Sequence, residues 1–414
     1  MTVRTHFHTD CYSFSGSETT LMLLLEDAVG RNDSFAFTYR RWPEYEEGLS
    51  RHLPAGVEAT GLRLPDPADI KQALTGGRSG TALRLIRAAI TLLPFRQLCL
   101  LYDLVRLVVL LRRERPDVLH VNNGGLPGAI SCNAAAIAGR IAGVPVVVYV
   151  VNNLAFGYDR PGRWFDYPVD RILVSSVTRF VTGSVAAGVA LRSVLGLRPD
   201  QHAVLPNGVA TRAPGTTAAE TRHALGLDAH AVVIAVVARL EVRKGHRYLL
   251  EAITRLSEDR RRNLRVLIAG AGPEHEHLVR LAGDLGVVDQ VTFLGPHPDP
   301  WALYDVADLV VLPSVSHEDL PIVIIEAMAA GVAVVASKVA GTVELVDDGV
   351  TGLLVEPGDS VGLAAAVDEL LGDEPRRTEM GAAARSRYAA TYTPDRAVKR
   401  YRVLSEQLLE EVPR

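Results

Sequence analysis

The sequence predicts an α/β protein of two doubly wound parallel sheets that face each other across a cleft. Three observations lead to this fold class. Short β-branched runs are apolar on both faces, helix-like segments separate most of them, and a turn at 206–208 divides two such series. Folds of this kind bind ligands outside the carboxyl ends of their strands.

The first half of the chain carries the less regular series of strands. Five runs there fit buried strands, at 4–9, 34–39, 118–122, 144–151 and 179–184. The segment AVLPNGVA (203–210) follows, and its Pro206, Asn207 and Gly208 signal a turn. We therefore expect an N-terminal domain over 1–205.

The second half alternates strands and helices more regularly. Strands are expected at 232–238, 265–270, 290–295, 308–314, 332–337 and 352–357, with helix-like segments such as HRYLLEAITRL between them. This pattern predicts a second domain over 206–390. The last segment, 391–414, predicts a charged amphipathic helix, which we expect to pack back on the N-terminal domain.

The composition is that of an ordinary soluble globular protein. The chain has 414 residues, of which 48% are hydrophobic and 22% charged, and its net charge of −4 gives no reason to expect a nucleic-acid partner. Three scattered cysteines have no metal-binding spacing and indicate reduced thiols. The N-terminus lacks the apolar core of a signal peptide, so we expect a cytoplasmic protein.

Residues 78–115 differ from the rest of the chain. They contain eight arginines and only two acids among many leucines. Ordinary packed helices with solvated arginines would explain this composition. The alternative is an interfacial surface, which predicts peripheral contact with an anionic membrane.

The motif HEDLPIVIIEAMAAG (317–331) predicts a short helix over about 320–330. Pro321 suits the first turn, because its missing N–H costs nothing there, and Gly331 suits the position just past the end. The first free N–H groups, around Ile322 and Val323, would bind phosphate or another anion.

Two carboxylates flank this helix start. Glu318 precedes it, and Glu326 lies inside an otherwise apolar helix. Glu326 could be a buried acid satisfied by the protein itself. The functional interpretation is an acceptor for two vicinal hydroxyls, such as those of a ribose, and together with phosphate at the helix start this predicts a nucleoside diphosphate.

A diphosphate needs compensating positive charge, and RLEVRKG (239–245) offers it directly after a buried strand. The chain has four lysines against 40 arginines, so a lysine here is not simply composition. We select Arg239 and Lys244 for the diphosphate. Near the N-terminus, Gly16 and Ser17 form a second candidate anion-binding turn. AGAGP (269–273) is interpreted as a tight strand-to-helix turn, because no third glycine follows to complete a dinucleotide-binding motif.

Several of these motifs together resemble the retaining nucleotide-sugar glycosyltransferases of family four, which have the two-Rossmann-domain GT-B fold. The resemblance is clearest over about 203–390. It rests on PNGV (206–209), ARLEVRKG (238–245), AGAGPE (269–274), ADLVVLPS (307–314), the Glu318-x7-Glu326 pair and TVELVDDGVTGLLV (342–355). The first half matches more loosely, through SGSE (15–18) and PDVLHV (116–121).

The resemblance implies roles for the residues of the second half. Glu318 would lie beside the donor sugar and Glu326 would hold the ribose. Arg239 and Lys244 would bind the diphosphate, without a metal or other cofactor. Further donor-binding positions would be the backbone near Leu320, Pro321 and Ile322, the base-binding segment around Leu294, and the Gly16 loop with Ser17, which closes over the phosphates.

The first half departs from the family at two positions. Where the family commonly has His-x-His, His120 is followed by Val121 and then by Asn122 and Asn123, and a second histidine position holds Asn152. Asparagine can position hydroxyls but cannot transfer a proton as histidine does. We expect Asn122, Asn123 and Asn152 on the sugar or acceptor side, and His120 is a candidate for that side as well. The alternative for His120 is a structural residue at a strand end.

The resulting hypothesis is transfer of a sugar, with retention, from a UDP- or GDP-sugar to a hydroxyl acceptor such as a glycan, a lipid-linked acceptor or a natural product. Glu318, Arg239 and Lys244 would be the catalytic residues. Two alternatives remain. A sugar-nucleotide epimerase or hydrolase would need its own acid and base and no acceptor, and a non-catalytic nucleotide-sugar-binding protein would bind donor without turnover.

Overall fold

The computed structural model describes residues 3–14, 16–65, 67, 95–159, 163–213 and 215–412. The chain forms two compact units. Unit 1 comprises the chain up to Gly183, Ala187–Leu205 and the chain from Val398 onward, and unit 2 comprises Ser184–Ala186 and Pro206–Ala397. Residues 78–94 of the arginine-rich segment and Ser15 of the SGSE motif lie outside the described residues.

Unit 1 is built on a parallel sheet of seven strands. The strands are β1 (Arg4–Thr9), β2 (Ser34–Arg40), β3 (Ala59–Leu62), β4 (Val118–Asn123), β5 (Val146–Val151), β6 (Arg179–Thr182) and β7 (His202–Val204). Their order across the sheet is β3-β2-β1-β4-β5-β6-β7, and every pairing is parallel. Every residue of the central strands β4 and β5 is buried, as expected for strands covered on both faces.

Helices connect these strands. The described ones are α1 (Gly16–Gly30), α2 (Pro43–His52), α3 (Phe95–Glu114), α4 (Ile130–Ala142), α5 (Tyr167–Ser176) and α6 (Val185–Leu195). Short 3-10 turns precede α5 and β7, at Arg163–Asp166 and Pro199–Gln201. Strand–helix alternation with parallel pairing makes this unit a doubly wound α/β domain.

Unit 2 contains a parallel sheet of six strands. These are β8 (Val232–Val237), β9 (Leu264–Ala269), β10 (Val291–Gly295), β11 (Leu309–Leu312), β12 (Val334–Ser337) and β13 (Gly352–Val355). The order β10-β9-β8-β11-β12-β13 reverses direction between β8 and β11. In a doubly wound sheet, that reversal is the point outside which ligands bind.

The helices of unit 2 lie before, between and after these strands. They are α7 (Ala218–Ala224), α8 (His246–Arg255), α9 (Glu258–Asn263), α10 (His275–Asp284), α11 (Pro300–Val306), α12 (Ile322–Ala330), α13 (Thr342–Leu345), α14 (Ser360–Gly372) and α15 (Glu374–Thr391). A 3-10 turn, Val242–Lys244, precedes α8. The last helix, α16 (Pro394–Glu410), belongs to unit 1 from Val398 onward.

The fold class predicted from the sequence is confirmed: both units are parallel α/β sheets. The strands β3 and β7 were not predicted, because each is short and neither shows a β-branched run. Strand β11 ends at Leu312 rather than at 314, since Pro313 follows it and has no N–H for the sheet. In the part of the chain that the structure describes, no helix combines the length and the apolar character needed to span a bilayer.

Candidate active site

The basic loop after β8 is held tightly against the end of β11. Gly245 has φ +68°, and a Cβ there would lie 1.9 Å from the carbonyl oxygen of Pro313, so only glycine fits without a shift. The backbone N–H of Val315 donates to the carbonyl of Arg243 at 2.8 Å. These contacts fix Lys244, which directly precedes the glycine, beside the loop that leads to α12.

Lys244 and Glu318 form the centre of a charged group that we call the Glu318 cluster: Arg243, Lys244, Ser314 and Glu318. Glu318 is only 5% exposed, and its Oε1 accepts from Lys244 Nζ at 2.5 Å and from Ser314 Oγ at 2.6 Å. Arg243 Nη1 lies 3.7 Å from the same oxygen. Glu318 thus faces two cations, of which Lys244 makes the shorter contact. When Arg239 and Glu241 of the same loop are included, three cations face two carboxylates, which leaves one excess positive charge that an anion could neutralise.

Arg239 lies outside this cluster. Its side chain is 61% exposed and pairs with Glu241, whose Oε1 is 3.0 Å from Arg239 Nε. The other oxygen of Glu241 accepts from Arg243 Nε at 2.8 Å. Of the two cations selected from the sequence, the structure therefore brings Lys244 to Glu318, and Arg243 takes the neighbouring position instead of Arg239.

The loop ahead of α12 is constrained on both sides. His317 has φ +59°, an uncommon value for a residue with a side chain, and its carbonyl accepts from Arg243 Nη1 at 3.2 Å. A Cβ at Gly341 would lie 1.4 Å from the carbonyl oxygen of Asp319, and Gly341 N–H donates to the carbonyl of Glu318 at 3.3 Å. The backbone around Glu318 is therefore positioned by neighbours and not by its own conformational preference.

Helix α12 begins beside the Glu318 cluster. Pro321 is the residue that caps its N-terminus, one position earlier than the first turn expected, and Gly331 ends it with φ +77° as predicted. The backbone N–H groups of Ile322 and Val323 have no partner within the helix, because the first turn of any helix leaves such groups unpaired. Leu320, just before the cap, is buried at 6% exposure. The helix start thus supplies amide dipoles suited to an anion.

Glu326 lies in the second turn of α12 and contacts a residue that the sequence analysis did not select. Tyr304, on α11, donates its hydroxyl to Glu326 Oε2 at 2.7 Å. Within the described residues, the other carboxylate oxygen accepts no hydrogen bond. Burial raises the pKa of Glu326 to about 7, opposed by the Tyr304 hydrogen bond and by the positive charge of Arg212. A half-satisfied carboxyl is suited to accept ligand hydroxyls.

The AGAGP segment is a tight connection between β9 and α10. A Cβ at Gly270 would lie 1.9 Å from the carbonyl oxygen of Ala238, and one at Gly272 would lie 2.2 Å from that of Leu240. Both glycines are therefore required by the close approach of the loop after β8. Leu294, predicted near the base of the donor, lies on the edge strand β10 and packs against the apolar core of unit 2.

Unit 1 contains a buried polar group at the start of α1, which we call the Glu18 cluster. Glu18 is fully buried and accepts four hydrogen bonds: from Tyr45 Oη at 2.6 Å, Asn122 Nδ2 at 2.8 Å, Thr9 Oγ1 at 3.0 Å and Cys11 Sγ at 3.0 Å. Burial raises the pKa of Glu18, and the four hydrogen bonds oppose that rise. The cluster ties the glycine turn at Gly16 to the end of β4.

The three predicted asparagines meet at this edge of the sheet. Asn122 also donates to the carbonyl of Ser17 at 3.2 Å, and its own Oδ1 accepts from Asn152 Nδ2 at 2.9 Å. Asn123 donates to the carbonyl of Gly125 and accepts from Ala129 N–H at 3.0 Å. Asn122 and Asn123 are thus engaged by the protein, whereas the half-buried Asn152 has an Oδ1 that accepts no hydrogen bond among the described residues.

His120 is not part of this group. It is 5% exposed, and its ring packs between Phe7, at 5.3 Å between centroids, and Tyr401 of α16, at 5.5 Å. Burial lowers the pKa of His120 to about 4. The ring therefore packs between β1 and α16, which corresponds to the structural alternative and not to the sugar or acceptor side.

Tyr304, Arg243 and Glu18 are the residues that sequence reasoning did not select. Arg243 lies in RLEVRKG, the loop from which Arg239 and Lys244 were selected, but the 3-10 turn that directs it to Glu318 leaves no signal in the spacing. Glu18 carried a hint, because an acid in an apolar helix start needs partners. Tyr304 had none, since 22 residues separate it from Glu326.

Two family models match the chain over most of its length. Residues 218–387 match the model described as "Glycosyl transferases group 1", and residues 21–208 match a "Glycosyl transferase 4-like domain". The first falls within unit 2, and the second ends just past the start of that unit.

Curated relatives match about half of the chain. The D-inositol 3-phosphate glycosyltransferase of Corynebacterium diphtheriae is 38% identical over 206 residues, which are 47% of this chain and 48% of that protein. The protein of the same name from Nocardia farcinica is 37% identical over 223 residues, 51% of this chain and 49% of that protein. The chain thus spans about half the length of the curated relatives it matches.

Solved structures resemble the whole chain in fold. Anabaena HepE, crystallised in complex with UDP, superimposes with a TM-score of 0.74 at 21% identity, covering 98% of this chain and 100% of that chain. A glycosyltransferase from Rickettsia africae gives a TM-score of 0.75 at 16% identity, covering 99% of this chain and 100% of that chain. At these identities the similarity establishes the GT-B fold. With the two family models, which together match residues 21–208 and 218–387, it leads to one conclusion: the chain belongs to the glycosyltransferases of GT-B fold.

Proposed function

We propose that this protein transfers a hexose from a UDP- or GDP-sugar to a hydroxyl acceptor, with retention of the anomeric configuration and without a metal. The observation that supports this most is the arrangement around α12. A cationic cluster and unpaired amides lie at the helix start, and a half-satisfied carboxyl lies one turn further on. The cations and amides are suited to bind phosphates, and the carboxyl is suited to accept hydrogen bonds from the two hydroxyls of a ribose.

The Glu318 cluster supports a role in leaving-group departure. Negative charge builds on the diphosphate as the bond to the sugar breaks, and Lys244, Arg243 and the helix start would stabilise it. Lys244 carries three N–H donors, of which one is used by Glu318, so the others can reach phosphate oxygens. This fixed positive charge is the reason to propose that no metal takes part. Arg239, exposed in the same loop, would add a further cation.

Glu318 bears on the route by which the configuration would be retained. The carboxylate is already neutralised by Lys244 and hydrogen-bonded by Ser314, which makes it a poor nucleophile. We therefore propose a front-face route, in which the departing phosphate removes the acceptor proton while Glu318 positions the sugar. Asn152 is the side chain of unit 1 that we propose for a hydroxyl of the acceptor. Because the curated relatives are named for D-inositol 3-phosphate, polyol phosphates belong in the acceptor panel beside glycans and lipid-linked acceptors.

The nucleotide site is tested by comparing two lysine variants. Lys244→Gln should weaken UDP or GDP binding by roughly 10- to 100-fold, because a charge-assisted contact to phosphate contributes about 1.5–3 kcal/mol. Lys338→Gln is the matched control, since Lys338 pairs with Glu356 on the surface of the same unit. Isothermal titration measures both. Equal affinities for the two variants would refute the diphosphate site at Lys244.

The reaction is tested with a panel of nucleotide sugars, ranked by thermal shift and then incubated with acceptors. A donor at ~100 times its Kd should add about 2.7 kcal/mol of stability. NMR of the product should show the anomeric configuration of the donor, and turnover should persist in EDTA. Free sugar or an epimer formed without acceptor would favour the hydrolase or epimerase, and binding without any turnover would favour a non-catalytic protein.

A further inference from the structure

Helix α3 has a buried face that packs onto the core of unit 1. Cys99, Asp103, Leu107 and Leu111 recur every four residues, and each is at most 1% exposed. Leu107 and Leu111 belong to the same apolar cluster as several residues of α4. The residues at the other positions of α3 must therefore face away from this core.

The opposite face of α3 is an exposed apolar stripe, formed by Leu98, Leu101, Tyr102, Val105 and Val109. These side chains are 56%, 58%, 47%, 58% and 65% exposed. Their spacing of three and four residues aligns them on one side of the helix over about 17 Å. Single exposed leucines are common on protein surfaces, but a continuous stripe is typical of an interaction surface.

Every charged group exposed on this helix is an arginine. Arg106, Arg112 and Arg113 are exposed, and Arg106 donates to the hydroxyl of Tyr102 at 3.1 Å, so it lies at the stripe itself. The two acids of α3 do not offset this charge at the surface. Asp103 is buried, and Glu114 is partly buried and bonded to His6 Nδ1 at 2.6 Å.

We propose that this face of α3, residues 98–113, docks on an anionic lipid bilayer. The apolar side chains would enter the boundary between headgroups and acyl chains, while the arginines remain at the level of the lipid phosphates. A second copy of the chain fits less well, because a symmetric interface would bring the arginines of one face against those of the other. This docking is independent of the proposed reaction, and it is argued only from residues that the structure describes.

The membrane prediction is tested by sedimenting the full chain with vesicles. The wild type should bind vesicles of phosphatidylglycerol and phosphatidylcholine at low salt, and should remain in solution with phosphatidylcholine alone. Binding should weaken as salt rises from about 50 mM to about 500 mM, because ions screen the attraction. Failure to bind the anionic vesicles at low salt would overturn the proposal.

Two sets of variants distinguish vesicle binding by this face of α3 from binding that depends only on the net charge of the protein. Arg106→Gln, Arg112→Gln and Arg113→Gln combined should weaken vesicle binding by roughly 100-fold, since each basic residue near an anionic surface contributes about fivefold. The control replaces three exposed arginines of unit 2, Arg255→Gln, Arg262→Gln and Arg280→Gln, and changes the net charge equally. Equal losses in the two sets would overturn the assignment to α3.

The apolar part of the face is tested separately. Leu101→Ser with Val105→Ser should reduce vesicle binding by about tenfold or more, because two apolar side chains are no longer buried in the bilayer. Val361→Ser, at a valine of unit 2 that is 59% exposed, should leave it unchanged. Thermal melts check that all variants fold, and light scattering checks their mass. A wild-type dimer that the α3 variants convert to monomer would overturn the proposal in favour of self-association.

Discussion

Glu326 is a carboxyl that titrates close to neutral pH, because burial raises its pKa to about 7. Its ordinary value lies near 4.5. Hydrogen bonds from hydroxyls to an ionised carboxylate are stronger than those to the protonated acid, so the protonated form would hold a diol less well. Any ligand that binds through this group should therefore show an affinity that depends on pH across the neutral range.

This predicts that nucleotide affinity falls as the pH drops through 7. Between about pH 8 and about pH 6 the ionised fraction of Glu326 decreases roughly tenfold, and the affinity for UDP should decrease by up to about the same factor. Titration calorimetry at several pH values measures it. Glu326→Gln serves as the control, because it retains the titration of the ligand itself and removes that of the protein.

Tyr304→Phe sharpens this test. The Tyr304 hydrogen bond favours the ionised carboxylate and lowers the pKa of Glu326, so its loss should move the midpoint of the pH profile upward. A wild-type profile that is parallel to that of Glu326→Gln would show that the carboxyl takes no part in binding.

Substitution of Glu318 is expected to change nucleotide affinity and turnover in opposite directions. In Glu318→Gln, Lys244 and Arg243 lose the carboxylate that partly neutralises them, so nucleoside diphosphate should bind a few-fold more tightly. Turnover should fall on the order of 100-fold, because a positioned charge beside the sugar is lost. Binding and initial rates are measured on the same preparation. A loss of both, together with a lower melting temperature, would indicate a purely structural role.

Among the elements, the connection between β8 and α8 determines where Lys244 lies, and Gly245 makes that connection possible. Gly245→Ala should cost more than 3 kcal/mol of the free energy of unfolding, since the left-handed conformation alone costs about 1–2 kcal/mol and the new Cβ also meets Pro313. Nucleotide affinity should fall as well, because Lys244 moves with the loop.

Gly226→Ala is the matched control for this prediction. Gly226 has a similar φ of +62°, and a Cβ there would meet nothing within 4 Å. Gly226→Ala should therefore lower the free energy of unfolding by only about 1–2 kcal/mol and leave nucleotide binding intact. Denaturant unfolding measures both variants. Equal losses of unfolding free energy in the two variants would contradict the prediction, because they would mean that the backbone at Pro313 moves away from the new Cβ without cost.

At the same scale, the sequence predicted the elements better than the contacts between them. Buried strands such as β5, VVVYVV, are recognised because they are apolar on both faces, and α12 because proline and glycine mark its ends. β3, with sequence ATGL, has no such pattern and is recognised only by its pairing with β2. The same limit applies to the site: loop geometry, and not composition, decides that Arg243 rather than Arg239 reaches Glu318.

At the scale of the whole molecule, the chain passes from unit 2 back to unit 1 within α16. Tyr401, Leu404 and Leu408 are buried there, and Arg402 Nε lies 3.5 Å from Asp27 Oδ2 of α1. Leu408 is fully buried, whereas Val403 on the same helix is 40% exposed. The stability of unit 1 should therefore depend on residues that follow unit 2 in the sequence.

Leu408→Ala tests this dependence and should cost about 2–5 kcal/mol of the free energy of unfolding, through the cavity it leaves. Val403→Ala removes a similar apolar side chain from the exposed side of α16 and should cost less than about 1 kcal/mol. Denaturant melts compare the two variants. A small cost for Leu408→Ala would mean that α16 contributes little to unit 1.

The return of α16 to unit 1 also imposes an order on biosynthesis. A ribosome delivers nearly all of unit 2 as one uninterrupted stretch before residues 398–412 emerge. Until then, the surface of unit 1 that Leu404 and Leu408 cover in the folded protein stays exposed to solvent. Unit 2 can already fold during this time. Chaperones that bind exposed apolar surface would therefore act on the N-terminal unit of this chain. In most multidomain proteins the N-terminal domain completes its folding first, because it is synthesised first.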